Sequence, residues 1–201
     1  MMDIEKEHPG RVCGFTVDEK YIVDGVICNK TVVPFETVEA VFPPSEHCML
    51  ICVGYNHMND SYVHMYKRAK EKNYDICNYI NASADFNGKI NGDGNIILGH
   101  TYVGYDTTFG SGNRILQNTV MTHDIIMGDY NYCAAGVAFA GFINIGNNCF
   151  FGMNSTIKNR IDIADYTLVG AGAYISKSTE KNSVYVPERS IRLDHTSKEL
   201  I

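Results

Sequence analysis

The feature that most constrains this chain is an internal period of six. Steps of six from Ile97 meet Val103, Phe109, Ile115, Met121, Met127, Cys133, Phe139, Ile145, Phe151, Ile157, Ile163, Val169 and Ile175. All fourteen residues are apolar in a chain that is 45% hydrophobic. Chance agreement is on the order of 1 in 10⁵ at ordinary composition. A period of six fits neither an amphipathic helix nor a hairpin series. It fits a triangular coil of three short strands, six residues per side and eighteen per turn, whose coils stack at about 4.8 Å. Stacking buries a core that no single coil could bury. The apolar residue of each hexad is expected to point into the prism. The small residue after it (Gly104, Gly110, Gly128, Ala134, Gly146) is expected at the tight corner, where a missing Cβ or a positive φ matters.

Residues 1–80 read differently. A strand is expected at 11–16 and a short helix at 36–42. The apolar run 48–53 reads as a buried parallel strand, and a helix follows over 61–72. A further strand at 74–80 feeds the coils. This alternation suggests a small α/β domain over 1–80. The expected order is then a β-helix over 81–180, with residues 81–96 as its irregular first coil, and a C-terminal extension over 181–201 beginning where the period is lost. The fold class is mainly β, a parallel β-helix behind a small α/β domain.

Composition excludes several functions. The formal net charge is −6, and nucleic acid and anionic membranes both require a basic face. No apolar run reaches the length of a membrane span, and the polar, acidic start is no signal peptide. A cytoplasmic protein is expected. The seven cysteines form no CxxC pair or zinc spacing, so they read as reduced thiols, mostly core fillers, with Cys133 and Cys149 at repeat positions. The basic run 67–72 reads as a solvated helix face. The regular coils hold two histidines, His100 and His123. A zinc anhydrase on this fold needs three, so no metal is expected.

A stacked prism is solid, so chemistry must sit on its outside. The hexad at 121–126 stands out because His123 is followed at once by Asp124. An imidazole with a pKa of about 6.5 suits proton removal at neutral pH, and a neighbouring carboxylate can orient it and support the imidazolium. Eighteen residues on, Gly141 falls on the next coil. A glycine there leaves room for a substrate and an open N–H as an oxyanion donor. Eighteen residues back is Tyr105.

The hexads, together with Thr122–Asp129 and Ala140–Gly146 behind an α/β segment, resemble the left-handed β-helix acyltransferase superfamily. The resemblance is to its branch of sialic acid O-acetyltransferases and N-acetyltransferases of nucleotide-linked 4-amino sugars. It spans nearly the whole chain. It implies direct acetyl transfer from acetyl-CoA to a sugar or sugar nucleotide, with His123 as base and Asp124 tuning it. The Gly141 amide would meet the thioester carbonyl. It further implies a homotrimer with acetyl-CoA between subunits, near Gly146, Gly152, Gly170 and Ala171, with Lys158 and Arg160 at its phosphates. Asn56 and, more weakly, Asp18 match positions lining the sugar-nucleotide site. Departures from the pattern are Leu116 for an asparagine, Tyr132 for a second histidine, and Val186–Arg189 for a Gly-x-Pro-Ala ending. Tyr132 can still hydrogen-bond and is expected as a substrate contact. The opening strand and Gly-rich turn are missing, so the nucleotide site is expected to be reduced or the start to lie late.

The reaction expected is N-acetylation of a nucleotide-linked amino sugar for surface polysaccharide. Sugar O-acetylation is the alternative within the class. A non-catalytic β-helix scaffold is the alternative outside it.

Overall fold

The computed structural model describes residues 2–194 and 197–200. After helix α1 (Met2–Glu7), strand β1 (Phe15–Val17) pairs in parallel with β3 (Lys30–Pro34), which pairs antiparallel with β2 (Val26–Ile27). A second, two-stranded sheet joins β4 (Cys48–Met49) to β5 (Asp75–Ile76) around helix α2 (Asp60–Glu71). The apolar run 48–53 was expected to be one buried strand. Only its first two residues pair, and beyond them Ile51 is buried while Cys52 is exposed. The expected helix over 36–42 is a 3₁₀ segment, Phe35–Ala40, with non-helical Thr37 inside. A disulfide joins Cys48 to Cys77, and Cys13, Cys28 and Cys52 are exposed. Reduced core thiols therefore describe only Cys133 and Cys149.

From Tyr79 onward the chain coils. The first face holds seven parallel strands, from Tyr79–Ile80 to Val184–Tyr185. The second holds six, from Asp85–Phe86 to Tyr174–Ile175, and the third five, from Lys89–Ile90 to Asp162–Ile163. In the regular coils each strand pairs with the residue eighteen on: Tyr102 with Val120, Val120 with Ala138, Ala138 with Thr156. The last strand, Val184–Tyr185, pairs with Leu168–Val169 although it lies beyond the end of the hexads.

All fourteen apolar hexad residues are buried. So are the residues four places after the first thirteen, including Asn113 and Asn131. These two continue a ladder from Asn95. The Asn113 amide donates to Asn95 Oδ1 at 3.0 Å and to the Gly128 carbonyl at 2.9 Å, and Asn131 repeats the pattern one coil on. Each interior amide is thus satisfied by its neighbours, as burial requires. No helix among the described residues is long and apolar enough to cross a membrane.

The corners are built differently from the expectation. Positive φ falls three places after the apolar residue, not one. Residues 100, 106, 112 and so on to 172 all have φ between 51° and 75°. The small residue answers a different need, the close passage of stacked backbones. A Cβ on Gly104 would lie 1.6 Å from the Thr122 carbonyl oxygen. Several left-handed corners hold Gly, Asn or Asp, which tolerate that region. Tyr130, Phe142, Arg160 and Tyr166 do not, and each carries a strain of about 1–3 kcal/mol.

Candidate active site

His123 sits where the second face turns into the third, and Asp124 occupies the left-handed corner position with φ 51°. That turn brings the carboxylate back onto the imidazole: His123 Nδ1 lies 2.7 Å from Asp124 Oδ2. A carboxylate only accepts, so Nδ1 carries the hydrogen and Nε2 is left to take a proton. Both side chains are about half exposed, so a substrate can reach them.

Gly141 lies on the next coil of the same corner. A Cβ there would fall 2.3 Å from His123 Cε1 and 2.6 Å from Nε2. The space left by the missing side chain was expected to receive substrate. It receives the imidazole, which rests flat against the glycine. The Gly141 carbonyl accepts from Arg160 N at 3.1 Å, while its amide makes no backbone hydrogen bond among the described residues. Below, the Tyr105 carbonyl accepts from Asp124 N, and Tyr105 itself is exposed. Asp106, Asp124, Ile126, Phe142 and Asn144 line an open groove of 300 Å³ beside the histidine. Phe142 stands edge-on to the imidazole, with ring centroids 5.2 Å apart. Arg160 lies over the Phe142 ring at 4.7 Å.

Arithmetic modulo eighteen sorts the other expected residues. Lys158 shares the corner of His123 and Gly141, and is exposed. Gly146 lies at the corner from the third face to the first, and Gly152, Gly170 and Ala171 at the corner from the first to the second. One chain does not bring these four to His123. At Gly146 and Gly152 a Cβ would meet Asp165 Oδ1 at 2.4 Å and Ala171 N at 2.4 Å, so both glycines also serve coil stacking.

Tyr132 projects from the first face. It stacks on Phe150 (5.6 Å, 9°), and Tyr55 leans on both rings. Tyr55, Asn56, His57, Met58, Phe150 and Leu168 line a second groove of 260 Å³. Asn56 lines this groove, Tyr132 packs on two residues of its wall, Tyr55 and Phe150, and both lie on a different side of the prism from His123. Asp18 is engaged elsewhere, in an ion pair with Arg68 of α2 at 2.7 Å.

Sequence reasoning missed Arg114. Its guanidinium is buried on the first face beneath the 54–59 loop. It donates to the Val53 and Gly54 carbonyls (2.7 and 3.3 Å) and to Asn59 Oδ1 (2.8 Å), and stacks on Tyr62. Burial pulls its pKa down to about 10, so it stays charged at neutral pH. Burial likewise pushes the Tyr62 hydroxyl up and the Cys149 thiol up to about 12. Cys149 is therefore no nucleophile. Among the described residues no cluster could hold a metal ion.

The fold is the left-handed parallel β-helix on which sugar acetyltransferases are built. No family model matches the sequence. Solved structures do. The acetyltransferase domain of PglB from Neisseria gonorrhoeae superposes with a TM-score of 0.78 at 16% identity, over 87% of this chain and 83% of that one. GDP-perosamine N-acetyltransferase from Caulobacter crescentus, in complex with CoA and GDP-perosamine, gives 0.77 at 18% identity over 85% and 80%. WeeI from Acinetobacter baumannii gives 0.59 at 16% over 93% and 90%.

Proposed function

We propose that the protein transfers the acetyl group of acetyl-CoA to the amino group of a nucleotide-linked sugar, with His123 as general base. The observation that carries this reading is the His123–Asp124 pair laid against Gly141 on an exposed corner. Nδ1 is occupied by the carboxylate, so Nε2 is the atom that accepts the proton. The acceptor nitrogen attacks the thioester carbonyl and gives its proton to Nε2. A C–N bond forms, the C–S bond breaks, and the imidazolium returns the proton to the departing thiolate, giving the amide and CoA. The Gly141 amide has the free donor such an intermediate needs. No covalent acyl-enzyme and no metal takes part.

The groove beside His123 favours an amine over a hydroxyl. Two carboxylates, Asp106 and Asp124, line it, and they attract the ammonium form of the acceptor, which loses one proton to solvent before the neutral amine attacks. Acetyl-CoA would run up the same corner, where the exposed Lys158 suits its phosphates.

Asn56 and Tyr132 would hold the sugar nucleotide, but their groove is on a different side of the prism. A homotrimer would resolve this by presenting one chain's 54–59 loop to another chain's His123. Support comes from the second face, which exposes Tyr102, Val120 and Tyr174 to solvent. Acetyl-CoA supply favours the cytoplasm, and the product would serve surface polysaccharide.

The test is CoA release from acetyl-CoA with UDP-, TDP- and GDP-linked 4-amino sugars, beside sialic acid and simple hexoses. Release with one nucleotide amino sugar is expected. Release with hydroxyl acceptors alone would make the enzyme an O-acetyltransferase. No release with any acceptor, together with tight binding of a protein partner, would favour a scaffold.

A further inference from the structure

We propose that Phe142, clamped by Arg160, is the positioning residue for the His123 imidazole. The inference rests on the reading of His123 as the base. Phe142 occupies a left-handed corner at φ 60°, where Gly and Asn sit without strain. The corner needs no aromatic ring: Asn118, Asn148 and Asn154 make the same turn at φ 56° to 60°. A bulky side chain held there must be retained for a contact.

Two other strained aromatics show what such contacts are. Tyr130, at φ 59°, packs on Tyr62 and Tyr66 of α2. Tyr166, at φ 57°, reaches Asp60 of α2 with its hydroxyl at 3.2 Å. Both secure α2 to the coils. Among the described residues Phe142 has no such element to secure. Its ring meets the His123 imidazole edge-on at 5.2 Å and 86°. Its other partner is the Arg160 guanidinium, 4.7 Å from the ring centroid. Arg160 is also strained, at φ 60°, and its backbone N–H is fixed to the Gly141 carbonyl. Strain at two successive coils of one corner is thus spent on a stack running from His123 through Phe142 to Arg160.

The consequence for the imidazole is geometric. Asp124 fixes Nδ1 and Gly141 supports one ring face, but both contacts permit rocking about the Nδ1–Oδ2 axis. The Phe142 ring, perpendicular to the imidazole and on the same coil as Gly141, adds a third contact that limits that motion. It also makes an apolar wall of the groove that holds Asp106 and Asp124. Misplacing a base by an ångström can cost two orders of magnitude in rate.

The experiment compares Phe142→Asn, Phe142→Tyr and Arg160→Gln with the wild type and with His123→Ala. Phe142→Asn is expected to fold, since Asn suits the corner. It should lower kcat at least tenfold and change the KM for acetyl-CoA less than twofold. Phe142→Tyr should recover kcat to within threefold of wild type, and Arg160→Gln should fall between. An arm that needs no acceptor records the imidazole resonance assigned to His123 by its loss in His123→Ala. It should show an Overhauser contact to the Phe142 ring, lost in Phe142→Asn. Unchanged kcat in Phe142→Asn, or a missing ring contact in the wild type, overturns the proposal. If His123→Ala instead keeps its turnover, the base assignment fails and the positioning role falls with it. The two failures are therefore distinguishable.

Discussion

The corner from the third face to the first and the corner from the second face to the third make the same backbone turn. Both put a residue in the left-handed region every eighteen positions, yet they do different work. At the first of them, Gly112, Tyr130, Asn148 and Tyr166 face α2. A Cβ on Gly112 would strike Tyr62, and the Asn148 amide donates to the Met58 carbonyl at 3.2 Å. At the other corner, Asp106, Asp124, Phe142 and Arg160 face solvent beside His123. The remaining corner, from the first face to the second, carries His100, Asn118, Gly136, Asn154 and Gly172, residue types that the left-handed region accepts more readily than most. The backbone therefore says nothing about function. Departure from the preferred residues marks a corner that touches something, either a packed helix or a reacting group.

Breaking the docking corner should cost stability and little in the coils. The largest effect is expected at Arg114→Met, which leaves the buried Asn59 Oδ1 and the partly buried Val53 and Gly54 carbonyls without this donor. About 3 kcal/mol should be lost, read as faster amide exchange across residues 53–62 while the coil strands stay protected. Removing the disulfide with Cys48→Ala and Cys77→Ala frees a loop spanning 29 residues of separation. That should cost about 3 kcal/mol in the 48–77 segment, checked by denaturant unfolding with and without a thiol reductant. Tyr130→Asn gives up the packing on Tyr62 and Tyr66 but relieves the left-handed strain, for a net loss of about 1 kcal/mol in thermal unfolding. Smallest of all, Asn154→Gly at the plain corner should shift stability by less than about 0.5 kcal/mol. A loss at Asn154 as large as at Tyr130 would erase the distinction between corners.

Much of this was legible in the sequence, for a physical reason. A stacked coil repeats the same environment every six residues, so burial imposes a period that survives as apolar identity from Ile97 to Ile175. The His123–Asp124 pair stood out against that background, and eighteen-residue arithmetic placed Gly141 above it. The same arithmetic puts Gly146, Gly152 and Gly170 on other corners, so only a second chain could bring them to His123. The left-handed position was misassigned because the glycines that catch the eye relieve stacking instead, as at Gly104. Arg114 was hidden because its site is an outward position in the repeat. Burial there comes from α2 and the 54–59 loop, which no local pattern encodes. The Cys48–Cys77 bridge depends on the pairing of β4 with β5, a contact between strands of only two residues each.

The central claim is that the corner of His123 is where acyl transfer occurs. The most direct test is steady-state CoA release by His123→Ala, measured beside its melting temperature. The account predicts turnover lowered by about 10²–10⁴ with melting within 2 °C or so of wild type, since the side chain is half exposed and supports no core. Turnover equal to wild type in a folded variant would contradict it and move the chemistry to another face of the prism.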